Sequence, residues 1–142
     1  MAVNGIIARK LQLLDETLVK LRSLGCLTTS ELADDWRTQM IVERALQVLV
    51  EILIDVAQRI ISETGQTPAS NSREAVERCV QIGALSSTEP YQRMIQFRNI
   101  VVHMYERVEP VFLIDIVNNR LSDFERFRDE ILAYVERSES DK

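Results

Sequence analysis

From Ile6 to Leu24 the apolar residues Ile6, Ile7, Leu11, Leu14, Leu18, Leu21 and Leu24 recur three and four positions apart. Arg9, Lys10, Asp15, Glu16 and Lys20 fall between them. That period predicts an amphipathic helix with one apolar stripe, stopped by Gly25. Thr28–Asp35 is polar and reads as a connection, with Thr29, Ser30 or Asp34 available to cap the next helix. Trp36–Glu63 is the longest apolar segment and carries two adjacent stripes. One runs through Val42, Leu46, Leu49, Leu53, Val56 and Ile60, the other through Met40, Val50, Ile54, Ala57 and Ile61. Only a narrow polar line through Arg44, Gln47, Glu51, Asp55 and Gln58 remains. A helix this apolar is central, packed on several sides or covered by a second copy.

Gly65-Gln66-Thr67-Pro68 with Ser70-Asn71-Ser72 marks the clearest loop. Arg73–Ala84 then predicts a short helix, capped by Asn71 or Ser72, with Ala75, Val76, Cys79, Val80 and Ile82 inward. Thr88 and Pro90 suit the cap and first turn of a helix over Gln92–Glu106, and Pro110 opens the last one. In that last helix Phe112, Ile116, Leu121, Phe124, Phe127, Ile131 and Val135 are expected to face inward. Residues 138–142 read as a frayed polar tail. The sequence has no internal repeat and no low-complexity run. The expected architecture is all-α: one domain over residues 1–142, an antiparallel bundle of four or five helices.

Composition sharpens this in three ways. With 142 residues and 46% hydrophobic content, there is enough apolar material for one substantial core. A formal net charge of −5 argues against a general nucleic-acid coat protein, though not against an RNA-cutting enzyme with a local basic cleft. Cys26 and Cys79 lack CxxC or Cys/His spacing and are expected to be reduced, buried, small apolar residues. With no membrane-length apolar run and no signal-peptide core, a cytoplasmic protein without membrane association is expected.

One segment departs from the scaffold pattern. Phe97-Arg98-Asn99-Ile100-Val101-Val102-His103-Met104-Tyr105 holds the only histidine, an arginine five positions before it and a tyrosine two after. At about 100° per residue, Met94, Phe97, Val101 and Met104 form an apolar stripe, and Arg98 and Tyr105 project into the same arc. His103 falls roughly 140° from Arg98, on the stripe of Gln92, Gln96 and Asn99. An arginine on an apolar arc must snorkel to solvent, pair with a buried carboxylate or line a cleft. Glu43, in series with Met40, Gln47 and Val50, is a candidate partner, and Asp55 another. For Arg98 and His103 to cooperate, the helix must bend near Val102 or a second copy must supply one of them.

Arg98-Asn99-Ile100-Val101-Val102-His103-Met104-Tyr105 resembles the R-x4-H-x-Y signature of HEPN-domain proteins, in particular the HepT toxins. Val42-Glu43-Arg44-Ala45-Leu46-Gln47 followed by Ile54-Asp55-Val56-Ala57 resembles that family's second helix, and the likeness extends to the last helix. The resemblance implies a metal-independent ribonuclease toxin of a two-gene toxin–antitoxin pair. It implies a homodimer whose two motifs approach across a shared cleft, acting on tRNA or mRNA. Its implied partner is an MntA-like minimal nucleotidyltransferase antitoxin that moves AMP from ATP onto the motif tyrosine. On this chain Arg98 and His103 become the catalytic pair, Asn99 a supporting polar residue and Tyr105 the AMPylation site. Glu43, Arg44, Glu51 and Asp55 are expected to support the cleft or face the dimer partner and not to be catalytic. No metal and no cofactor of the chain's own is implied; ATP belongs to the antitoxin.

The residue types suit that chemistry independently. Histidine titrates near neutral pH and serves as general base or acid. Arginine offers a permanent, planar charge to phosphate oxygens. AMP on Tyr105 would add bulk and negative charge beside Arg98. Two other functions stay open: a non-catalytic HEPN module that binds a nucleotide or presents substrate to a nucleotidyltransferase, and a purely structural dimerisation domain. Arg126, Arg128 and Arg137 are interspersed with acids and read as a solvated face.

Overall fold

The computed structural model describes residues 2–103 and 109–140, with side chains described for 5–100 and 109–139. Among the described residues there are seven helices and no strands: α1 Ala2–Arg22, α2 Thr29–Asp34, α3 Trp36–Glu63, α4 Ser72–Gln81, α5 Glu89–His103, α6 Pro110–Asn119 and α7 Leu121–Ser140.

Each boundary has a local cause. Gly25 takes φ 77°, a left-handed turn that an L side chain resists, and its N–H bonds the Arg22 carbonyl. The Thr28 hydroxyl accepts from the Glu31 N–H at 3.1 Å, which starts α2 inside the segment expected to be a connection. Asp35, one residue beyond the expected cap, accepts from the N–H groups of Arg37 and Thr38 and so begins α3. Asn71 caps α4 by accepting from the Glu74 N–H at 2.8 Å. Pro110 occupies the first turn of α6, where a missing N–H costs nothing.

Two further expectations are revised. The single last helix is two, broken at Arg120, whose φ of −124° leaves the helical region while its N–H still reaches the Ile116 carbonyl. Of the expected polar tail, residues 138–140 continue α7, and 141–142 lie outside the described residues.

The stripe Val42, Leu46, Leu49, Leu53, Val56 and Ile60 is fully buried, which makes α3 the axis of the bundle. Helices α1, α4 and α5 supply most of its cover. Ile7, Leu11, Leu14, Leu18 and Leu21 of α1 and Phe124, Phe127 and Ile131 of α7 complete the core. Burying each such side chain contributes about 1.5–3 kcal/mol before chain entropy is counted. The start of α3 is different: Trp36, Met40 and Ile41 are all more than half exposed, so the second stripe is core only from Val50 onward. Cys79 is buried as expected, but Cys26 is exposed, because the turn after α1 carries it away from the core. No helix among the described residues is long and apolar enough to cross a membrane.

Side-chain pairs give the directions. Arg22 with Glu125 and Asp15 with Arg128 run α1 against α7. Tyr91 with Glu130 and Phe97 with Phe112 run α5 against α7 and α6. The Leu27 carbonyl, between α1 and α2, accepts from Asn118 of α6. The end of α5 therefore lies at the end of the bundle where α1 finishes, α3 begins and α6 passes.

Candidate active site

The first half of α5 is anchored. Tyr91 is fully buried, with its ring edge-on to Phe127 at 5.5 Å and its hydroxyl donating to Glu130 at 2.6 Å. Burial, reinforced by that carboxylate, pushes the phenol above its ordinary range. Glu130 also accepts from the N–H and hydroxyl of Ser86. Met94, Ile95 and Phe97 then face the core.

Arg98 follows and is half-buried. Its Nε is buried without a hydrogen-bond partner, and its one hydrogen bond among the described residues runs from Nη1 to the neighbouring Asn99 Oδ1, at a long 3.4 Å. Neither expected carboxylate partner holds it. Asp55 is taken by Lys10 at 2.6 Å, and the Glu43 carboxylate accepts from Gln39 at 3.2 Å. Among the described residues no carboxylate comes within ion-pair distance of Arg98. The reason is register: Lys10 of α1 reaches Asp55 on the outer side of α3. Leaving a buried guanidinium nitrogen unpaired costs roughly 1–3 kcal/mol, so the site is stored at some expense to stability.

Asn99 is exposed one position on, and Arg44 and Asp55 are exposed on α3. His103 is the last residue of α5, one and a half turns from Arg98, and its side chain lies outside the described residues. Tyr105 lies outside them altogether. The structure thus puts Arg98, Asn99 and the backbone of His103 on one helix, at the same end of the bundle as the start of α3.

Two side chains escaped the sequence reading. Gln39, in the first turns of α3, is buried and bonds Glu43. Phe112 was expected inward but is 38% exposed, stacked on Phe97 with ring centroids 6.0 Å apart. The signal for Phe112 was present. The spacing from Ile116 to Leu121 is five residues, which breaks the phase of the stripe and separates α6 from α7.

The all-helical bundle is shared with solved structures of HEPN toxins. A solved structure of the tri-AMPylated HEPN toxin from Shewanella oneidensis, in complex with the MNT antitoxin, superposes with a TM-score of 0.81. It is 25% identical and covers 90% of this chain and 97% of that one. A cytosolic protein of unknown function from Bacillus subtilis, YutE, shares the fold at a TM-score of 0.79 and 15% identity, covering 95% of this chain and 92% of that one. In sequence, the mRNA nuclease HepT of Shewanella oneidensis is 26% identical over 133 residues, 92% of this chain and 99% of that protein. The sequence model of the Ribonuclease HepT-like family matches residues 14–131, and the chain belongs to that family.

Proposed function

We propose that this chain is an endoribonuclease toxin that cleaves RNA with Arg98 and His103, working in a homodimer cleft without a metal or a cofactor of its own. The observation that carries this reading is the state of Arg98: half-buried on an apolar arc, its Nε unsatisfied, five residues before the only histidine. Arg59 on α3 also has a buried, unsatisfied Nε, but only Arg98 shares its segment with a histidine and a tyrosine, where an RNA phosphate would complete it.

In the proposed reaction the RNA supplies its own nucleophile. A base removes the proton of the 2′-hydroxyl, the 2′-oxygen bonds to phosphorus, and the bond from phosphorus to the 5′-oxygen breaks as an acid protonates the leaving oxygen. His103 serves as one of these groups, and its counterpart in the second copy serves as the other. Arg98 steadies the charge that develops on the phosphoryl oxygens. Asn99 holds the guanidinium in place through its Oδ1, and Glu43 and Arg44 border the cleft on α3, while Asp55, paired with Lys10 further along that helix, stands away from it. The relatives' complexes with MNT antitoxin support a matching partner here: an MntA-like nucleotidyltransferase that uses ATP to AMPylate Tyr105. AMP there would place negative charge in the path of an RNA phosphate.

The test is cleavage of tRNA and mRNA by the unmodified protein in EDTA, beside Arg98→Ala and His103→Ala proteins shown to fold. Cleavage that survives the chelator and falls at least roughly 100-fold in both variants is expected. Cleavage unchanged in the two variants would end the assignment.

A further inference from the structure

Beside the Arg98 segment lies a cavity of about 230 Å³ between α5 and α6 that the proposed chemistry leaves unused. Met94 and Ile116 form its apolar floor and Phe112 one wall; Arg93, Gln96 and Asp115 stand at its polar edge. The Phe112 ring is held from behind by Phe97, at 22° between planes, while 38% of the residue stays open to solvent. The open part of that ring is a rigid aromatic face on which a planar group can stack. Gln96 is exposed and its amide makes no hydrogen bond among the described residues, so a donor and an acceptor stand free together. Asp115 is already engaged: it accepts from Asn119 and Arg120, and those bonds hold its carboxyl below the ordinary range, as a fixed anion.

We infer that this cavity receives one nucleobase of a single-stranded RNA, stacked on Phe112 and read along its edge by Gln96. The inference rests on the nuclease reading above and adds what that reading lacks, a source of sequence preference. Its placement fits. Gln96 and His103 are seven residues apart on α5, which returns the register to the same side of the helix about 10 Å along the axis. That is a separation of one or two nucleotides of an extended strand, so the base bound here flanks the phosphate that is cut. Gln96 stands on the His103 register and Met94 on the Arg98 arc, roughly 160° round, so the cavity opens between the two registers. The strand would therefore enter over α6 and meet Arg98 only at the cleft. Stacking on an aromatic ring accepts any base, and discrimination falls to the amide and the carboxylate at the edge.

The experiment measures binding, so it does not depend on cleavage. Full-length His103→Ala protein is titrated into a labelled short oligoribonucleotide and into versions with one base removed at each position in turn. One removal is expected to weaken binding roughly 5- to 150-fold, the worth of a stacked base. That penalty should vanish when Phe112→Ala is added, and the preference among bases at that position should flatten with Gln96→Ala. Gln96 is exposed, so its replacement leaves the fold intact and guards against a Phe112 variant that loosens Phe97. Penalties that are equal with and without both substitutions would overturn the inference. So would variants that keep RNA binding unchanged but lose a partner nucleotidyltransferase, which would assign the cavity to a protein side chain. A wild-type protein that cleaves nothing while the base penalty persists would sink the nuclease reading and leave the base pocket standing.

Discussion

Tyr91 and Arg98 sit seven residues apart on one helix, both amphipathic, and the fold treats them in opposite ways. Tyr91 is completely buried, yet its polar atom is paired with Glu130 and its ring with Phe127. Arg98 is less buried and carries a permanent charge, yet its Nε has no partner and its only hydrogen bond among the described residues goes to its neighbour. Packing explains the first and opposes the second. Buried polar groups in native proteins are paired as a rule, and of the two exceptions among the described residues, the Nε atoms of Arg59 and Arg98, only Arg98 stands five residues before the histidine. On the proposed function, the half of α5 that ends at Phe97 is scaffold and the half that begins at Arg98 is equipment.

That contrast can be broken from either side. The largest effect is expected at the equipment end, in the loss of cleavage by the Arg98→Ala and His103→Ala proteins. Next comes the scaffold. Tyr91→Ala removes a ring that fills the centre of the α5–α7 seam and should cost about 3–5 kcal/mol in urea unfolding, with cleavage per folded molecule unchanged. If activity per folded molecule fell while stability held, Tyr91 would belong with the site. Tyr91→Phe should cost about 1 kcal/mol, since only the hydrogen bond to Glu130 goes.

A smaller effect follows from pH. The folded-state phenol of Tyr91 titrates above its unfolded value of about 10, so its contribution is fully present below that pH and is lost as pH rises above it. Unfolding midpoints should decline above about pH 10 in the wild type and decline less in Tyr91→Phe. Identical alkaline profiles would show that the phenol is not held by the core.

Much of this architecture can be read from the chain, because it depends on short-range period and on turn chemistry. The α3 stripe from Val42 to Ile60, the Gly25 stop, the Asn71 cap and the Pro110 start all follow from local sequence. What could not be read depends on partners remote in sequence. Thr28 and Asp35 look no better as caps than Thr29 and Asp34 until the backbone is placed. The exposure of Trp36, Met40 and Cys26 depends on which helices cover the start of α3 and the turn after α1. For the site, the R-x4-H-x-Y spacing pointed to Arg98, but Glu43 and Asp55 were as plausible ion-pair partners as Lys10 was for Asp55. Only the three-dimensional register shows Arg98 without one.

The most direct test is a paired measurement on Arg98→Met, which keeps the length and apolar body of the side chain and removes the charge and its unsatisfied nitrogen. Urea unfolding and RNA cleavage are measured on the same preparation. The expected result is a protein about 1 kcal/mol more stable than the wild type and devoid of cleavage, since the stability cost and the activity share one atom group. A variant that is less stable and cleaves RNA normally would mean that Arg98 holds the fold together, and the functional reading of α5 would be wrong.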